Sequence, residues 1–157
     1  MGVKTSAGLK LFILGEIETK EPTKTEYEAL TPIEVGEIVN FGEYGDEITM
    51  TEHLPLSASR KQKFPGSADA GDLQLQLGND FEDEGQAAMK AARDSRQRTA
   101  FLIQHNDAGS GSPSSPTMEY FAGFISSFRQ SPGGADDILS ATTTIAINTD
   151  FVVVEAV

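Results

Sequence analysis

The stretch from Ile48 to Arg98 constrains the fold more than any other part of the chain. Within it, Leu73, Leu75 and Leu77 alternate with Asp72, Gln74, Gln76 and Gly78. That period of two is satisfied by a strand with one buried and one wet face. Acids follow at Glu82, Asp83 and Glu84, then Ala88, Met89 and Ala92, then Arg93, Arg96 and Arg98. Negative charge at the start and positive charge at the end complement a helix macrodipole. The spacing predicts a helix of about three to four turns packed across a sheet, with Asn79 or Asp80 as its cap. Phe81, Ala88 and Ala92 fall on one broad side. Before the alternating strand, Ile48 to Lys63 reads as extended chain ending in Arg60, Lys61 and Lys63. Pro65-Gly66 predicts a turn, and Asp69 to Gly71 a second reversal.

The flanks are also β-prone. Leu9 to Ile17 and Ile33 to Phe41 read as strands, the second with imperfect alternation around Val35 and Val39. Glu18 to Thr31 is a charged loop interrupted by Pro22, with one helical turn near Tyr27. Thr99 to Gln104 is a buried strand, and Thr117 to Arg129 is a long aromatic one. In the latter, Tyr120, Phe124 and Phe128 share a side only if no bulge shifts the register. Ser and Gly make Asp107 to Pro116 a loop. Ile138 to Asn148 and Phe151 to Val154 complete the strands. The expected fold class is mainly β: a β-sandwich or partly open β-barrel with one flanking α-helix. It forms a single domain over residues 1–157, with a flexible arm at 1–8 and a polar loop at 18–31.

Composition narrows the function. The 157 residues carry 24 acids and 12 bases, a formal charge of -12. A duplex-gripping surface needs many cations to displace counterions, so that class is disfavoured. A channel that lets a polyanion slide past is not. The chain has no cysteine, which excludes disulfides and thiolate chemistry. Leu9 to Leu14 is too short an apolar run to span a bilayer or form a signal-peptide core, so the expected product is soluble and intracellular when made, without membrane insertion.

Residue types that do chemistry are present but not in working patterns. His53 and His105 lack a second ligand at metal spacing, so the expectation is no metal site. Consecutive helical carboxylates at Glu82, Asp83 and Glu84 do not face one another and do not make a calcium loop. Ser57 and Ser59 have no identifiable base, and Gly109, Gly111, Gly133 and Gly134 sit in turns rather than in a phosphate loop. No catalytic residue and no cofactor is expected. Arg60, Lys61 and Lys63 fit an intersubunit ion-pair role, phosphate contact or plain solvation. Together with Glu82, Asp83 and Glu84 they are the assembly-interface candidates. A β-rich chain of this kind has another route to a job: outer strands pair with neighbours and close a ring, removing exposed edges.

Several short stretches, in order, resemble the major tail tube proteins of long-tailed, siphovirus-like bacteriophages. They are Ile33-Glu34-Val35-Gly36-Glu37-Ile38, Phe64-Pro65-Gly66, Asp69-Ala70-Gly71-Asp72-Leu73 and Asn79-Asp80-Phe81-Glu82-Asp83-Glu84-Gly85-Gln86. Phe101-Leu102-Ile103, Tyr120-Phe121-Ala122-Gly123-Phe124-Ile125 and the Thr/Ile-rich end continue the series. The likeness runs from about residue 33 to 156, and the early loop at 18–31 carries no family motif. It implies a structural subunit, not an enzyme, that self-associates into hexameric rings stacked as a helical tube. It further implies tail terminator, distal tail and tape measure proteins as partners. Viral DNA would pass through the lumen, and the product would reside in the virion tail after assembly from the host cytoplasm. A tail terminator or connector ring protein is the alternative. A small β-fold enzyme is the remaining reading.

Overall fold

The computed structural model describes residues 3–108 and 114–156. In chain order the elements are β1 (Lys10–Glu16), α1 (Lys24–Glu28), β2 (Ile33–Val35), β3 (Ile38–Phe41), β4 (Glu47–His53) and β5 (Gln62–Asp69). They continue with β6 (Asp72–Gly78), α2 (Glu84–Ser95), β7 (Thr99–Gln104), β8 (Met118–Ser131), β9 (Ser140–Ile147) and β10 (Val152–Val154). Eight strands form one antiparallel sheet in the order β2-β1-β7-β8-β9-β6-β3, with β10 also paired to β8. β4 and β5 pair only with each other, as a separate hairpin.

The two ends of that sheet, β2 and β3, are consecutive in sequence. Only Gly36 and Glu37 separate them, and two trans residues let the chain span at most about 11 Å between Val35 and Ile38. The sheet therefore curls until its edges lie side by side. The result is a partly open barrel, because no ladder joins β2 to β3 among the described residues. At the crossing Glu37 adopts φ 62, the left-handed region. The break replaces the continuous strand expected over Ile33 to Phe41, and it leaves Val39 pointing outward.

Alternation places the core. Leu73, Leu75 and Leu77 of β6 are fully buried while Gln74 and Gln76 face solvent. Burying each leucine contributes roughly 2 kcal/mol of transfer free energy. They meet Leu11 and Ile13 of β1, Phe101 and Ile103 of β7, Phe121 of β8, Ile145 of β9 and Met89 of α2 in the barrel interior. Phe101 and Phe121 are direct cross-strand partners whose rings stack at 5.4 Å. The opposite face of β1, β7 and β8 carries a second cluster of Leu14, Ile17, Ala100, Leu102, Tyr120 and Ala122. Tyr27 of α1, fully buried, covers this cluster and stacks on Tyr120 at 5.4 Å. The single helical turn expected near Tyr27 is thus α1, the lid of the second core.

The long strand β8 serves both clusters because its register slips between Ile125 and Ser127. Upstream, Phe121 and Ile125 face the barrel and Tyr120 the second cluster. Past the bulge Phe128 switches to the barrel side, so Tyr120 and Phe128 do not share a face.

Three local expectations are corrected. Phe64-Pro65-Gly66 is not a turn: it lies inside β5, with Pro65 opposite Met50 and Phe64 opposite Thr51. The hairpin reverses instead over the residues between His53 and Gln62. Proline is tolerated because β5 is an edge strand with an irregular register there. The cap of α2 is Asp83, not Asn79 or Asp80, and Phe81 precedes the helix and is exposed. Asp80 instead closes a small turn by accepting from Glu82 N at 2.9 Å. Finally, β9 begins at Ser140, leaving Ile138 exposed in the preceding turn. Of the arm read at 1–8, residues 1 and 2 lie outside the described residues, as do residues 109–113 of the loop read at Asp107 to Pro116.

Candidate assembly interface

The hairpin is the least self-sufficient part of the molecule. Every residue of β4 and of β5 is exposed. An isolated two-stranded hairpin is at best marginally stable in water. Here it also carries Ile48, Met50 and Phe64 about half exposed, with Leu54 and Leu56 exposed in the connecting turn. On β4, Ile48 and Met50 share one side, opposite Ala68 and Pro65. Five of the large exposed apolar side chains thus sit on one projecting arm, which marks an interaction surface rather than scattered exposure.

The arm's end is basic. Leu54 to Lys63 contains Arg60, Lys61 and Lys63 and no acid, in a chain whose overall charge is -12. Lys61 Nζ pairs with Glu52 Oε2 at 3.2 Å, with both side chains about half exposed. Such a pair is worth little. Arg60 and Lys63 make no ion pair among the described residues.

The three acidic candidates separate. Glu82 and Glu84 are exposed. Asp83 is engaged within the chain: Oδ2 accepts from Gln86 N at 3.0 Å and from Gly36 N at 3.1 Å. It caps α2 and holds the helix start against the β2–β3 crossing. Beside it Gln86, fully buried, accepts from Asp80 N at 3.0 Å and donates to Gly36 O at 3.2 Å and Gly78 O at 2.8 Å. Gly85 permits the approach: a Cβ there would sit 2.2 Å from Glu34 O. Gln86 was not singled out by sequence reasoning. The available signal was the Asp83-x-x-Gln86 spacing of a capping pair.

At the hairpin's root, Tyr44 links the arm to the barrel. Its ring packs on Phe151 at 5.6 Å, and its hydroxyl donates to Glu119 Oε1 at 3.2 Å. His105 Nε2 contacts the same carboxylate oxygen. Burial and the adjacent Glu119 charge push the Tyr44 hydroxyl well above the usual phenol range. His105 therefore belongs to a structural tie. Next to it Asp107 accepts from Thr117 N at 2.7 Å and Thr117 Oγ1 at 2.6 Å. These two donors hold its carboxyl below its ordinary value.

A cleft of about 650 Å³ opens beside the hairpin root and is lined by Lys20, Asp46, Asp69, Arg98, Thr149 and Asp150 among others. It has no histidine. Its hydroxyl, Thr149 Oγ1, accepts from Ala122 N at 2.9 Å and donates to Ala122 O at 3.4 Å rather than to a general base. Among the described residues no three His, Cys, Asp or Glu side chains converge as metal ligands. No described helix is long and apolar enough to cross a membrane.

Neither family profiles nor curated protein sequences match the chain. Solved structures do. A chain of the anti-feeding prophage (AFP) baseplate superposes with TM-score 0.69 at 13% identity, over 99% of this chain and 97% of the other. The SPP1 tail tube gives 0.65 at 12%, over 92% and 75%. The sheath/tube terminator of an extracellular contractile injection system, PVC, gives 0.65 at 12%, over 98% of each. The chain shares its fold with these baseplate, tube and terminator proteins. At such identities the likeness fixes architecture alone.

Proposed function

We propose that the chain is a structural subunit of a bacteriophage-type tail tube, without catalytic turnover. Copies close into hexameric rings, and the rings stack into a conduit for DNA. The observation that carries this reading is the hairpin β4–β5, an arm with exposed apolar side chains that no surface covers among the described residues. The shared fold supports it, because the described neighbours are parts of tubes, baseplates and tube ends. Burying the arm against other copies removes its exposed apolar area and its unpaired edges together.

The exposed side of the barrel suits a passage for a polyanion. Across β3, β6, β9 and β8 runs the row Asn40, Gln76, Thr142, Arg129, beside Gln74, Thr144 and Ser127. These are short or uncharged groups apart from Arg129, so a phosphate backbone meets neither a cationic trap nor a strong barrier. Partners in this reading are further copies, then terminator, distal tail and tape measure proteins in the virion tail, after synthesis in the host cytoplasm. Residues 1–157 act as one subunit body.

Electron microscopy of purified protein over a rising concentration series tests the proposal. Long hollow tubes with a regular ring repeat are expected. Protein that stays monomeric at high concentration and with added tube ends would refute it. The second reading, a terminator or connector, is favoured by the similarity to the PVC terminator and to the AFP tube-terminating cap, TM-score 0.62 at 13% identity. Single rings that never elongate would select it.

A further inference from the structure

The hairpin leaves the barrel where β6 begins, at Asp69 to Asp72. The opposite end of β6, at Gly78, carries a recess of about 500 Å³ lined by Glu37, Asn79, Asp80, Phe81, Glu82 and Ile138, among others. Seven strand residues separate the two, on the order of 20 Å. The two surfaces match in chemistry. The arm offers Leu54 and Leu56 beside Arg60 and Lys63. The recess offers exposed Phe81 and Ile138 ringed by Glu37, Asp80 and Glu82. The Asn79 amide in the same recess is buried, with no hydrogen-bond partner among the described residues.

We infer that the tip of the hairpin, Leu54 to Lys63, docks onto the Phe81–Ile138 recess of a second copy of this chain, head to tail. Leu54 and Leu56 cover Phe81 and Ile138, and Arg60 and Lys63 face Glu37 and Glu82. The two surfaces lie at opposite ends of one strand, so the contact is heterologous. Each copy then has one free arm and one free recess, the condition for open-ended growth along an axis. Like-charge repulsion between chains of net charge -12 opposes that growth, and the contact brings a segment with three bases and no acid onto acids. The inference rests on the tube-subunit reading and supplies its axial joint.

Charge exchange tests it. The double variant Arg60→Glu, Lys63→Glu and the double variant Glu37→Lys, Glu82→Lys each place like charges face to face. Each should raise the critical concentration for elongation by about tenfold or more. The chain carrying all four substitutions should elongate again, as should an equal mixture of the two doubles. All four residues are exposed, so thermal unfolding of each variant should match the unaltered chain. Independently, the cysteine-free chain bearing Leu56→Cys and Ile138→Cys should oxidise into a ladder of covalent multimers. Doubles that elongate normally, or a fourfold variant that stays dispersed while the unaltered chain forms tubes, would overturn the docking alone. Failure of the unaltered chain to form any assembly would instead sink the tube reading beneath it.

Discussion

Gln86→Met isolates the polar tie that fastens α2 across the crossing of β2 and β3. Methionine keeps the length and nearly the volume of glutamine, so little cavity opens. What disappears is three hydrogen bonds, from Asp80 N and to Gly36 O and Gly78 O. Each exchanged bond contributes about 1 kcal/mol net, and an orphaned buried partner costs about 1–3 kcal/mol. Partial access of water to the backbone groups pulls the total toward the lower bound, about 3 kcal/mol. For a domain of this size that corresponds to a fall in Tm of roughly 6–12 °C. Urea unfolding of the non-assembled protein, followed by circular dichroism, reads the change as a lower midpoint with unchanged slope. Gln86→Glu should cost more, because the carboxylate keeps only the acceptor role and buries charge beside Asp83 and Glu84. A loss below about 1 kcal/mol in Gln86→Met would show that these bonds are replaced by solvent and that the helix is held by Met89 packing and the Asp83 cap.

Gly85→Ala should be destabilising by about 2 kcal/mol or more, since backbone rather than a yielding side chain lies 2.2 Å from the new carbon; a Tm equal to that of the unaltered chain would contradict the close approach. Tyr44→Phe removes the hydroxyl that reaches Glu119 and should increase amide exchange in β4 and β5 while leaving β6 and β9 unchanged; uniform exchange across both would deny the root its anchoring role. Asp107 has a lowered value in the folded chain, so its contribution is complete above the ordinary carboxylate value near 3.8 and vanishes as pH falls through the depressed one. Asp107→Asn should therefore weaken the protein at neutral pH and converge with the unaltered chain in acid; a constant gap across that range would reject the pairing with Thr117.

Much of the barrel was legible from alternation alone. Leu73, Leu75 and Leu77 were legible as a one-sided strand because β6 lies between two neighbours with one face wet. Thr99 to Gln104 was legible as buried because both its faces are covered, one by the barrel core and one by Tyr27. The hairpin was harder. Pro65-Gly66 has the local chemistry of a turn, and only the pairing of Pro65 with Met50 overrides it. The cap of α2 was misplaced because Asn79, Asp80 and Asp83 all suit the role locally. The choice among them is made by Gly36 N, 47 residues away in sequence from Asp83. Glu37 at φ 62 gave no signal, since the strain there serves a closure that depends on the whole sheet. Of the interface candidates, Arg60, Lys61 and Lys63 were legible as a basic cluster. That Asp83 faces inward while Glu82 and Glu84 face outward required the packed helix.

The pairing pattern also orders events during synthesis. β4 and β5 are neighbours in the chain, and a hairpin of that kind closes in microseconds. The strands that bury the apolar core wait much longer: β1 needs β7, and β6 needs β9, whose last residue is Ile147. The arm thus closes only transiently before the body that will carry it is complete. On the docking inference, the recess closed by the Ile138 turn is completed later in the chain than the arm it receives.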